Sequence, residues 1–128
     1  MTAPDSGNNK TKTVIESAKK SAVVNTIVQL IASKFPIDQT LQRIVDIIPN
    51  SYLLPRQVFV RMVIDKKSYV SHGFTETAWF VTRSLDLNGE VEGALELFFS
   101  DEYIRSGNKK DLTKDNDHII MISTLICG

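Results

Sequence analysis

Cysteine is almost missing from this sequence of 128 residues: Cys127 stands alone, so no intramolecular disulfide can form. That excludes a small secreted scaffold held by bridges and suits a reducing, cytoplasmic setting. Histidine is equally scarce. His72 and His118 lie far apart, and neither has a metal-ligand spacing with Cys127. No charge of one sign dominates, because Lys and Arg total 15 and so do Asp and Glu. A general attraction to nucleic acid needs a basic face and is not expected. No apolar run approaches the roughly 20 residues of a membrane span. The polar N-terminus lacks the apolar segment of a signal peptide. Proline is sparse, at four residues, and Pro36 and Pro49 act as punctuation between apolar segments.

What remains is an ordinary globular composition, 42% apolar and 23% charged, of a length that suits one domain. Residues 1–12 (MTAPDSGNNKTK) carry too few apolar groups to order themselves and are expected to be a flexible tail or linker. A single domain should then occupy 13–128.

The spacing predicts a long helix over 13–35. Val24, Val28, Ile31 and Phe35 form one stripe, and Val23, Ile27 and Leu30 an adjacent one, together a wide apolar face. The earlier part, with Ile15, Ala18 and Ala22 near Lys19 and Lys20, suits close contact with another helix, in a second copy for instance; it also suits plain exposure. Pro36 ends this helix, and Asp38 is expected to cap a second one carrying Leu41, Ile44, Val45 and Ile48.

From Gln57 the apolar period changes to two. Val58, Val60, Met62 and Ile64 predict a first strand, a turn at 65–67 leads to a short strand at 67–71, and a third covers about 77–87. Asn88-Gly89 is a strong hairpin signal. The fourth strand, 90–99, sends Val91, Gly93, Leu95, Leu97 and Phe99 to one face and Glu92, Ala94 and Glu96 to the other, so one face should be core and the other mostly polar. Residues 100–113 read as a polar loop. A last helix, starting near Thr113 or Asp115, is apolar on more than one side. Ile119, Ile122, Leu125 and Ile126 are therefore candidates for a dimer interface, unless the polypeptide continues and covers them.

The expected fold class is α+β: an antiparallel sheet of four or more strands with helices packed on one face. This order, with Gly73-Phe74-Thr75-Glu76-Thr77-Ala78-Trp79 ahead of a strand, the Asn88-Gly89 turn and Gly93 in the next strand, resembles the GAF/PAS group of sensory domains. The resemblance runs from about Val23 to Gly128. It implies a GAF-like input domain of a prokaryotic signalling protein, acting as a homodimer on an output domain of the same polypeptide, such as a histidine kinase in a two-component system. It also implies a ligand site near Tyr69, His72, Phe74 and Trp79, an aromatic set that could line a small-molecule pocket or simply close the edge of the core. A ligand-free scaffold or dimerisation domain is the alternative.

Catalytic motifs are not found. The glycines are single and form no phosphate loop, and no nucleophile elbow occurs. Cys127 has no basic sequence neighbour to activate it. The acidic pairs Glu90/Glu92 and Glu92/Glu96 fall on the solvated face of a strand. His118, beside Asp117, reads as a polar residue in the first turn of the last helix. The domain is therefore not expected to be an enzyme, and no cofactor is assigned.

Overall fold

The computed structural model describes residues 3–87, 89, 91–108 and 116–127. Helix α1 covers Ala3–Ala32 and α2 Ile37–Ile47; two single 3-10 turns, Ile48–Ser51 and Pro55–Gln57, lead into the sheet. Strands β1 (Val58–Ile64), β2 (Lys67–Val70), β3 (Trp79–Leu87) and β4 (Val91–Phe99) follow. A helical turn α3 (Asp101–Tyr103) runs into a wider turn, Ile104–Asn108, and the final helix α4 covers Asn116–Cys127. The fold is α+β, with a four-stranded antiparallel sheet in the order β2-β1-β4-β3.

Alternation along the strands sets the two faces. Val58, Val60 and Met62 of β1, Tyr69 of β2, Leu85 of β3, and Leu95, Leu97 and Phe99 of β4 are buried toward the helices. Val23 and Ile27 of α1, Leu41, Ile44 and Val45 of α2, and Ile119 and Ile122 of α4 complete that core. Gly93 is required where β4 meets β1: it pairs with Ile64, and a Cβ there would fall inside contact distance of the Val63 carbonyl oxygen. At the β3–β4 turn, Gly89 has φ +72° and its N–H donates to Asp86 Oδ1 at 2.9 Å. Asn88 lies outside the described residues, as do Thr113 and Asp115 at the expected start of the last helix.

Several boundaries differ from the sequence-based expectation. The segment expected as a tail is helical from Ala3. Proline is tolerated in a first turn, as at Pro4, and extending a helix that is already packed needs no new nucleus. Helix α1 stops at Ala32, where Ser33 turns back on Leu30 O through both its N–H (3.2 Å) and its hydroxyl (2.6 Å). Asp38 is not the cap of α2. Pro36 takes that position, and Asp38 sits in the first turn with its carboxylate directed to β2. Residues after β4 are not merely a polar loop: Ser100 caps α3 by accepting from Tyr103 N–H, and Tyr103 is 1% exposed against Tyr52 and Phe99.

Candidate functional site

The residues expected to form one aromatic pocket are spread over the sheet. Tyr69 belongs to β2 and Trp79 to β3, the two opposite edges. The Tyr69 hydroxyl donates to Asp38 Oδ1 at 2.5 Å, which ties β2 to α2. That bond pushes the Tyr69 phenol up to about 12 and, with Lys67 close by, lowers the Asp38 carboxyl. Trp79 Nε1 donates to Asp101 Oδ1 at 3.0 Å, across the far edge. His72 is exposed, and its backbone N–H donates to Asp46 Oδ1. Phe74 lies on the other face altogether, edge-on to Phe98 with ring centroids 5.5 Å apart. The set therefore does not converge on one cavity, because strand alternation and sheet order place its members on different edges and faces.

Phe74 instead belongs to a cluster on the face of the sheet away from the helices. Phe80 stacks on Phe98 at 5.4 Å, and the Arg61 guanidinium lies 5.4 Å from the Phe74 ring and 5.3 Å from the Phe98 ring. Arg61 also pairs with Glu96 at 2.6 Å and Glu76 at 2.9 Å. The Glu96 contact, foremost, holds the guanidinium above its ordinary value. Glu96 is thus a partner of Arg61 rather than a member of a solvated acidic pair. This face is aromatic, its one guanidinium is shared by two carboxylates, and Phe80 remains 51% exposed.

Two of the four expected dimer residues need correction, since they are buried within the single chain. Ile119 and Ile122 are 2% and 0% exposed and belong to the domain's own core, with Leu125 and Ile126 packed against it. Helix α4 lies against β3 and α1, which cover most of the apolar surface that made it look unpartnered in the sequence, although Met121 remains 52% exposed. His118 is likewise buried, its Nε2 2.9 Å from Ser51 Oγ. Cys127 is partly buried and lines a cleft of about 340 Å³ with Arg83, Asp86 and Ser123, so a basic residue shares its surroundings after all. Among the described residues no group of His, Cys, Asp and Glu could hold a metal ion.

The surface left over is on α1. Its two apolar stripes do not form one buried face. Val23 and Ile27 enter the core, whereas Val28 and Ile31 remain 46% and 44% exposed. No residue from 14 to 22 is buried, and Val14 is 67% exposed. Val14, Ser17, Ser21, Val24, Val28 and Ile31, none of them buried, follow alternating spacings of three and four, the period of a helix that packs along another helix; Ser21 and Val24 also line a shallow cleft with His118 and Met121 of α4. The sequence contained this signal, but the neighbouring stripe at Val23, Ile27 and Leu30 obscured it. No family model matches the chain, and no curated protein or solved structure matches it either.

Proposed function

We propose that this domain is a regulatory module of a signal-transduction protein. It works as a homodimer and passes a signal along its terminal helices to an output domain such as a histidine kinase. The observation that carries this reading is the outward stripe of α1. A 30-residue helix, about 45 Å long, carries an uncharged seam of four apolar side chains and two serines, none of them buried. A helix without a tertiary partner is marginal in water, and a second copy of the same seam supplies one. Helix α4 packs beside α1, so a shift of one against the other changes the geometry presented by both. Such a device needs two helix packings of similar free energy and an input that favours one.

The test is the solution mass of residues 1–128 by light scattering across a concentration series. A dimer is expected. The double variant V14E/V28E should be a monomer that keeps its cooperatively folded core and loses at most the helicity of the unburied part of α1, since both side chains are exposed in the single chain. A wild-type chain that stays monomeric at every concentration, or a variant that remains dimeric, overturns the α1 seam as the interface.

A further inference from the structure

Helices α1, α2 and α4 meet at a cleft of about 170 Å³ that lies apart from the aromatic cluster and shares only Ile31, the last seam position, with the pairing face of α1. Ile31 of α1, Phe35 of the connecting turn, Leu41 and Ile44 of α2, and Ile126 of α4 give it apolar walls. Two polar side chains also line it, Ser33 and Thr40. The Ser33 hydroxyl is committed to Leu30 O at 2.6 Å.

Thr40 differs. It is 6% exposed, and among the described residues its hydroxyl makes no hydrogen bond. Other helical hydroxyls in this chain satisfy themselves on the carbonyl four residues back: Thr26 on Ala22, Ser123 on Ile119 and Thr124 on Ile120. At Thr40 the equivalent carbonyl, Pro36 O, receives only the backbone N–H, at 3.0 Å. A buried hydroxyl left without a partner at the wall of an apolar cleft is a position for a ligand's polar atom.

We infer that this cleft binds a small, uncharged, mainly apolar molecule carrying one hydrogen-bonding group, such as a phenol or a short alcohol. The volume matches the roughly 150 Å³ of an apolar cavity that accepts a benzene ring. The apolar body would lie against Ile44, Leu41 and Ile126, with the polar group meeting Thr40 Oγ1. Apolar walls with a single placed polar group are the usual composition of such sites. Because the walls come from all three helices, occupancy would favour one packing of α1 on α4. That consequence rests on the regulatory reading above; the binding does not.

Phenol and toluene, similar in size and differing only in a hydroxyl for a methyl group, are the probes, followed by methyl and amide NMR of the full chain. Phenol should give saturable shifts centred on Ile31, Thr40, Ile44 and Ile126. Thr40→Val should weaken phenol about fivefold, the worth of one hydrogen bond, and leave toluene binding unchanged. Ile126→Trp, which fills the mouth from a partly exposed position, should abolish both. The same titration of V14E/V28E separates the two proposals, since a monomer that still binds phenol keeps the site whatever becomes of the dimer. Absence of saturable shifts with either probe, or a Thr40→Val chain that binds phenol as the wild type does, overturns the assignment.

Discussion

The Tyr69 hydroxyl and the Asp38 carboxylate tie an edge strand to the first turn of a helix, and their chemistry gives that tie a pH window. The phenol is raised from 10.0 to about 12, chiefly by the bond to Asp38. Its contribution to stability is therefore complete below 10 and disappears as pH rises toward about 12. Asp38 is lowered from 3.8, so its contribution is present above that value and is lost as pH falls through the lowered value. The difference in denaturant stability between wild type and Tyr69→Phe should be constant at neutral pH and shrink at both extremes; a difference independent of pH from 3 to 11 would disprove the link. The sequence could not reveal this bond. Asp38 stands at a plausible cap position, and only the fold shows that Pro36 occupies it while Tyr69 comes within reach. Thr40 was hidden for the same reason: nothing in IDQTLQRI distinguishes a self-bonded threonine from an uncommitted one.

For the secondary-structure elements, legibility followed the strength of the apolar period. Helix α2 and strands β1 to β4 fall within a few residues of their predicted limits, because periods of 3.6 and 2 are unambiguous there. Period reports that a side chain is apolar, not what covers it. Helix α4 looked unpartnered because β3 and α1, which cover most of it, lie far away in sequence; α1 read as one wide apolar face because two stripes of different destination run side by side. Glutamate substitutions that look alike in the sequence should therefore behave oppositely on α1 and α4. Ile122→Glu places an unpaired carboxylate at a fully buried position and should destabilise the fold by about 3 kcal/mol or more, seen as a lower urea midpoint with loss of cooperativity. A stably folded Ile122→Glu monomer would return α4 to the role of an interface.

As a whole, the molecule divides its sheet unequally. One face is closed by three helices; the other carries Phe80, Phe98 and the Arg61 ion pairs under a connecting segment. The sequence conveyed the α+β class and the closed face. It did not convey the aromatic character of the open one, because Phe59, Phe80 and Phe98 reach it from three separate strands and only their register, Phe59 opposite Phe98 and Phe80 opposite Phe98, gathers them. No helix among the described residues is long and apolar enough to cross a membrane.

The strand order β2-β1-β4-β3 also has a kinetic side. Each outer pair, β1 with β2 and β3 with β4, is joined by a tight turn and can zip up within microseconds. The central seam between β1 and β4 unites segments from opposite ends of the sheet region, and closing it must await the meeting of two preformed hairpins. That encounter should set the folding rate. In stopped-flow refolding, Val60→Ala or Leu97→Ala should slow folding, whereas Ile119→Ala on α4, outside both hairpins, should act mainly by speeding unfolding.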